Sequence, residues 1–501
     1  MAKYAKSNVR LLDALNYVAG KRCVPAHAGA SFPVYEPATG NVLTECAEST
    51  ERDVDDAVMS SVSAFKTWSQ LSGQQRGQVL IKTGQLIKQN LNDLAHWETK
   101  DNGKPLYEAK IDIEQCADLF EFYGAAAITA TGTCHDLPHT KRLVYERKVP
   151  FGVCGGIGAW NYPFQTASWK IAPALACGNA FVYKPSPWSP ITATLLADMI
   201  VDAGAPPGTV NIVQGGAVTG TAICHHPNIA KVSFTGSVAT GKRIQAACAE
   251  KQLKPVTLEL GGKSPIIIFE DANINDAVTA TMFANWFTQG EVCSNAARVF
   301  VHENVLSEFT EKLVNRTKAM SIGNPYASDT KVGAMITKEH MDKVLAYIDK
   351  GKQEGARILY GGERVRPAES DFSNGYYVSP CIMTDCRDDM TVCKEEIFGA
   401  VLTLLPFKTE KEAIQRANDT SFGLGAGLCT SDLQRAHNVS CQLQAGNVWV
   451  NTYNDVSPNV PFGGMKQSGY GRENGLAAMN SYCQVKSVWI NIDKNEIESP
   501  F

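Results

Sequence analysis

The chain lacks a long apolar run, an excess of either charge and any regular cysteine spacing, and each absence removes a class of function. Without an apolar run of bilayer length, a membrane-spanning helix is not expected. Acidic residues number 51 and basic ones 47. That balance predicts no basic surface for nucleic acid or lipid headgroups. The opening Met1-Ala-Lys-Tyr-Ala-Lys6 lacks the apolar core of a secretory signal. The 15 cysteines form no Cys-x-x-Cys pair and no His/Cys cluster with zinc spacing. A disulfide framework belongs to short secreted chains. The expectation is a cytoplasmic protein with mostly inert thiols and no metal. In that compartment the sequons at Asn315, Asn418 and Asn438 are chance matches. No internal repeat or low-complexity tract is present.

What the chain does have is length and alternation. Its 501 residues, 44% hydrophobic, exceed one compact core and predict two or more domains. Asp53 to Asn90 carries helical apolar spacing, at Val54, Ala57, Val58 and Val62. Pro150–Ile157, Ala180–Lys184, Val210–Val213 and Lys231–Thr235 read as strands, and Thr192–Ala203 as a helix closed by Gly204. A second series begins at Pro265–Phe269, with a helix over Ile274–Thr288 and a strand at Arg298–Val301. Such alternation predicts βαβ units and parallel sheets in two α/β lobes. Arg142–Lys148 and Ser481–Asn491 alternate like exposed strands and read as an oligomerisation flap, with a satellite sheet within one chain as the alternative.

Two segments carry nucleophilic chemistry. Cys293 lies in Gln289-Gly-Glu-Val-Cys293, and Glu259 in Leu258-Glu-Leu-Gly-Gly-Lys263. A thiol and a carboxylate, each beside glycines, suggest covalent catalysis through sulfur with a nearby base. These segments occur in order with Trp160-Asn161-Tyr-Pro-Phe164, Lys184-Pro-Ser186, Phe234-Thr-Gly-Ser237, Glu395-Glu-Ile-Phe398-Gly and Pro461-Phe-Gly-Gly464. Over nearly its whole length the chain resembles the aldehyde dehydrogenases, most closely the family 9 type that acts on 4-trimethylaminobutyraldehyde and betaine aldehyde. The resemblance implies an aldehyde dehydrogenase-like α/β fold of two Rossmann-type domains plus a small β flap. It divides the chain into a NAD-binding domain over 1–130 and 150–260, a catalytic domain over 261–475, and oligomerisation segments over 131–149 and 476–501. It also implies a homotetramer.

The same resemblance implies roles. Cys293 attacks an aldehyde and forms a thiohemiacetal. The Asn161 amide and the Cys293 N–H hold the oxyanion. Glu259 activates water to hydrolyse the thioester. NAD is the implied cofactor, although no Gly-x-Gly-x-x-Gly run follows a strand and Gly155-Gly-Ile-Gly158 is too short. Its contacts are carried over to Ile157, Trp160, Lys184, Ser186, Phe234, Gly236, Ser237, Gly241, Leu260, Glu396 and Phe398. Many relatives have Lys-Pro-Ser-Glu, but this chain has Pro187 in the acidic position. NAD with some NADP tolerance is therefore expected. Tyr162, Trp169, Phe287 and Phe462 are the implied substrate box. Tyr162 and Trp169 are seven apart, so a helix there would put them on one face. Such a box suits a trimethylammonium head, and Glu291 would add a negative charge. A broad-specificity aldehyde dehydrogenase, or an inactive structural relative such as a lens protein, are the alternatives.

Overall fold

The computed structural model describes residues 11–493. Met1–Lys6 and the last eight residues of the 476–501 segment lie outside them. The centre of the amino-terminal lobe is Val153–Ile157, whose five residues are all buried. Its glycines set the layer spacing. A Cβ at Gly156 would lie 2.6 Å from the Phe181 ring, and one at Gly155 would lie 2.7 Å from Ile223. From this strand the chain steps to Ala180–Lys184 and Val210–Ile212 on one side. It then returns to Ile229–Thr235 and Val256–Glu259 on the other. All five run parallel. The order reverses between Ile157 and Thr235, the switch point where open α/β sheets bind ligands.

Short antiparallel strands finish both edges, Asn16–Val18 with Lys21–Cys23 at one and Gly469–Tyr470 at the other. The last of these pairs with Glu259 from the far end of the chain. The second lobe is a seven-stranded sheet. In spatial order it runs Arg357–Tyr360, Cys381–Thr384, Val401–Phe407, Arg298–His302, Pro265–Ile268, Gly425–Cys429 and Asn447–Val450. All its pairings are parallel except that of the Arg357–Tyr360 edge. Both lobes are thus α/β, as expected. Leu260–Ser264 connects Glu259 directly to Pro265, so the carboxyl edge of the first sheet leads into the amino edge of the second.

Some elements differ from the sequence reading. Pro150–Ile157 is two strands, Arg142–Pro150 and Val153–Ile157, parted at Gly152 with φ +120°. The helical stretch over Asp53 to Asn90 is two helices, Glu51–Trp68 and Gly73–Gln89. Arg142–Pro150 pairs with Cys134–Leu137 and with Cys483–Asn491 in a separate three-stranded sheet. Among the described residues no helix is long and apolar enough to cross a membrane.

Helices Gly73–Gln89 and Leu106–Ala126 meet backbone to backbone. A Cβ at Gly77 would fall 2.3 Å from the Gly124 carbonyl oxygen, and neither helix can yield without opening the core. Gly77→Ala is expected to cost about 1–3 kcal/mol through overpacking, lowering the thermal midpoint by several degrees. An unchanged midpoint would mean that the crossing tolerates a wider gap.

Candidate active site

The residues singled out from sequence cluster where the first sheet's strands end. Ile157 leads to Trp160-Asn161, Ala180–Lys184 ends at Lys184, Thr235 leads to Gly236-Ser237, and Val256–Glu259 ends at Glu259. Cys293 comes from the other lobe, five residues before Arg298–His302. Three glycines bring the segments into contact. A Cβ at Gly262 would lie 2.5 Å from the Cys293 carbonyl oxygen, and one at Gly261 would lie 2.0 Å from Glu396 Oε2. At Gly290, with φ +75°, it would lie 2.2 Å from the Ala400 nitrogen. The Gly-Gly after Glu259 and the Gly before Cys293 are therefore steric requirements.

Cys293 is half-buried and packs against the apolar cluster that holds Trp449, Tyr453 and Phe462. Burial, then the Glu396 and Glu259 carboxylates, push its thiol up to about 12, while the N–H groups of Cys293 and Ser294 oppose them. Glu259 is 5% exposed, and neither carboxyl oxygen has a hydrogen-bond partner. Burial first, and then the Glu473 charge, raise it well above the usual carboxylate range. A buried carboxyl without a partner is costly unless it serves a purpose. Asn161 is buried, and its Nδ2 donates to the Glu291 carbonyl at 2.8 Å.

The turn before the nucleophile is strained. Thr288 and Gln289 have φ of +49° and +53°, and Gly290 continues the run. A β-branched residue in this region needs outside support. Buried Glu108 supplies it, accepting from the Thr288 N–H at 2.8 Å and its hydroxyl at 3.3 Å. The expected helix Ile274–Thr288 accordingly stops at Trp286.

The cofactor residues divide into three groups. Lys184 is buried, not a surface lysine. It donates to the carbonyls of Pro185 and Gly215, each at 2.7 Å, and burial lowers it to about 8. Ser186 is buried beside it and accepts from the Trp188 N–H. Ile157 and Phe234 are buried apolar residues of the switch-point strands. Helix Val238–Lys251 begins at Ser237, whose hydroxyl accepts from Thr240 N–H at 3.3 Å. Val238 and Ala239 are left as first-turn donors, a seat for an anion. Gly241 follows them. It lies inside this helix, and a Cβ there would meet Leu260 at 2.6 Å, so Gly241 and Leu260 pack against each other. On the second lobe Glu396 accepts from Gly262 N–H at 3.1 Å and is raised to about 7 by burial. Phe398, at φ +62°, meets Trp160 edge-on at 5.0 Å. Its carbonyl accepts from His340 Nε2 at 2.7 Å. An anion seat, an amine and an acid for hydroxyl groups, and an aromatic wall fit a dinucleotide.

The four substrate residues are not one stacked box. Trp169 and Phe462 meet at 5.3 Å. Phe287 packs on Phe283, which sequence reasoning missed. Tyr162 begins the helix Pro163–Ala176 as its cap, so the seven-residue spacing is not two full turns of helix. Its hydroxyl accepts from Thr288, and the Lys104 ammonium lies 4.0 Å from its ring centroid. Trp286, left unassigned from sequence, is core, with Nε1 donating to Thr317. Glu291, expected to add a negative charge, is fully buried; its carboxyl accepts from Ile336 N–H, and burial raises it well above the usual carboxylate range.

Sequence reading also missed an ion pair beneath Glu259. Lys170 Nζ donates to Glu473 Oε1 at 2.6 Å and to Thr235 Oγ1 at 2.7 Å, and both charged residues are buried. A lysine amid the buried helix residues Ser168, Ile171 and Ala172 demands an acid. That was the available signal, but the acid lies 303 positions away.

A thiol from a second α/β lobe, near an unpartnered carboxyl at the strand ends of a doubly wound sheet, points to a class, the oxidoreductases. The aldehyde dehydrogenase family model matches residues 24–488, and the chain belongs to that family. It is an aldehyde-oxidising enzyme. It is 49% identical to 4-trimethylaminobutyraldehyde dehydrogenase A of Danio rerio, over 98% of this chain and 96% of that one. Among solved structures, a putative aldehyde dehydrogenase from Burkholderia cenocepacia superposes with a TM-score of 0.94 at 38% identity, covering 97% and 99% of the two chains. A Staphylococcus aureus betaine aldehyde dehydrogenase solved with NAD+ gives 0.93 at 34% identity, covering 97% and 96%.

The carboxylates that raise the Cys293 thiol generate a prediction. Glu396→Gln removes a charge that disfavours thiolate, so the thiol falls. Iodoacetamide alkylation of Cys293 at pH 8.5, above the value of about 7 for Glu396, is expected to be several-fold faster in the variant. An unchanged rate would show that Glu396 does not act on the sulfur.

Proposed function

We propose that the chain oxidises ω-trimethylamino- and ω-amino-aldehydes to carboxylates with NAD. The observation that carries this reading is Cys293 set against the Trp169–Phe462 apolar wall, opposite the unpartnered Glu259. The 4-trimethylaminobutyraldehyde dehydrogenase relative supports the substrate class, and the NAD+-bound betaine aldehyde dehydrogenase supports the cofactor.

The chain's own groups perform the steps. Cys293 gives its proton to the Glu259 carboxylate, which passes it to solvent, and its sulfur bonds to the aldehyde carbon, giving a thiohemiacetal. Its own N–H and the Asn161 amide donate to the oxygen that gains charge. The Asn161 amide already spends one N–H on the Glu291 carbonyl, which fixes its plane and leaves the second N–H for the oxyanion. NAD, when bound, supplies the two-electron acceptor, held by Lys184 and Glu396 at its riboses and by the first turn at Ser237. Glu259, as carboxylate, takes a proton from water, whose oxygen attacks the thioester and releases Cys293 with the acid. Because Glu259 must first lose a proton it holds tightly, hydrolysis is expected to quicken as pH rises.

The domain reading stands as a proposal on the same basis, with 1–130 and 150–260 binding NAD, 261–475 carrying the thiol, and 131–149 with 476–501 forming an oligomerisation flap. Val485, Trp489, Ile490 and Ile492 are exposed on and just beyond the outer strand of the three-stranded sheet. Covering them with a second copy in a homotetramer would satisfy both the apolar face and the open edge. A cytoplasmic location belongs to the same proposal.

Cys293→Ala is expected to abolish aldehyde-dependent NADH formation. Glu259→Gln is expected to give a burst of about one NADH per site and then turn over at least roughly a hundredfold slower. A steady rate close to wild type would remove Glu259 from the base role. Trp169→Ala is expected to raise KM for 4-trimethylaminobutyraldehyde more than for hexanal. Equal increases for both aldehydes would favour a broad-specificity enzyme.

A further inference from the structure

In doubly wound dinucleotide folds the acid that selects NAD over NADP stands at the end of the second strand, where it binds the ribose 2′-hydroxyl and repels a 2′-phosphate. Here the second strand, Ala180–Lys184, ends on a cation and continues Pro185-Ser186-Pro187, with no acid. The structure brings a carboxylate to the same place from another part of the chain. Glu48 directly follows strand Asn41–Ala47. Its Oε1 accepts from Gly216 N–H at 2.8 Å. Lys184 Nζ donates to the carbonyl of the adjacent Gly215 at 2.7 Å. Glu48 and Lys184 therefore hold opposite ends of one trans peptide, Glu48 at its N–H and Lys184 at its carbonyl. Gly215 has φ +148°, and a Cβ there would lie 2.0 Å from Thr219 Oγ1 and 2.9 Å from Glu48 Cγ, so only a glycine leaves room for both side chains. On the helix that follows, a Cβ at Gly220 would lie at an ordinary contact distance, 3.7 Å, from Lys184 Cε. The Glu48 charge also supports the buried Lys184 ammonium against its desolvation.

We propose that Glu48 is the specificity-determining acid of the adenosine site, replacing the carboxylate missing at Pro187 and disfavouring a 2′-phosphate. The proposal rests on the reading that Lys184 holds the adenosine ribose. It narrows the NADP tolerance that Pro187 alone predicts. A 2′-phosphate brings close to two negative charges at neutral pH. Beside Glu48 these would meet repulsion that a neutral hydroxyl does not.

The test is calorimetric binding of NAD and NADP to the intact enzyme, without substrate. Glu48→Gln keeps an oxygen for the Gly216 N–H and removes the charge. It is expected to tighten NADP binding roughly tenfold or more, with NAD changed less than about threefold. Lys184→Met, measured in parallel, is expected to weaken both nucleotides. If Lys184→Met weakens both while Glu48→Gln leaves the NADP-to-NAD ratio unchanged, Glu48 is not the selector and the ribose reading survives. If Lys184→Met leaves both constants unchanged, the ribose lies elsewhere and both ideas fall. Unfolding midpoints taken alongside separate these outcomes from damage to the loop.

Discussion

The active crevice depends on side chains that are not there. Gly261, Gly262 and Gly290 occupy positions where a Cβ would collide with Glu396, the Cys293 carbonyl and the Ala400 backbone. Two of those three obstacles are backbone, which cannot swing away. Any larger residue would push the nucleophile's segment off the strand-end loop that carries Glu259. The two lobes have separate cores, and their alignment at atomic distance is decided by these few contacts. Short spacing between glycine and functional residue, in both Glu-Leu-Gly-Gly and Gln-Gly-x-x-Cys, reflects one requirement seen from two sides.

Close approach has an electrostatic consequence. Bringing Cys293, Glu259 and Glu396 together in a desolvated space raises all three toward their protonated forms. The resting site is therefore reluctant to ionise, and the groups that favour the anion are fixed dipoles: the N–H groups of Cys293 and Ser294 and the Asn161 amide. Such donors need no reorganisation when charge develops. Their position is held by the strained Thr288–Gly290 turn, which in turn leans on Glu108 through two hydrogen bonds. A mutation at Glu108, which does not touch the sulfur, would release the segment that presents it.

What the sequence made legible is what local rules encode. Alternating strand and helix signals gave two α/β lobes, and the strand-end positions of Lys184 and Glu259 follow from where those apolar runs stop. Cys293 stood out through its Gln-Gly-x-x-Cys motif and the family resemblance that the motif carries, not through local rules, and most of the other thiols are buried. Long-range pairings were not legible. Nothing near Lys170 announces Glu473, and nothing near Thr288 announces Glu108, 180 positions away. Side-chain direction was the other blind spot. Phe283 and Trp286 lie on one helix beside Phe287, yet Phe283 meets Phe287 and Trp286 turns to Thr317 in the core. The packing of Gly241 on Leu260, one turn inside the helix that begins at Val238, was not legible either.

The aromatic wall poses a physical question that spacing could not raise. Tyr162 already carries the Lys104 ammonium over its ring. A ring with a cation on one face is a weaker host for a second cation on the other, because both draw on the same quadrupole. Asp112 changes this balance. It pairs with Lys104 at 2.5 Å in a fully buried position, so the charge felt across the ring is closer to that of a dipole than of a free cation. On the proposed substrate reading, the attraction for a trimethylammonium group then falls mainly to Trp169 and Phe462, whose edge-on contact leaves part of the Trp169 surface open. Tyr162 contributes shape more than charge, and its hydroxyl, fixed by Thr288, ties that shape to the turn before Cys293. In this arrangement the wall proposed to select a substrate and the turn before Cys293 are one mechanical unit.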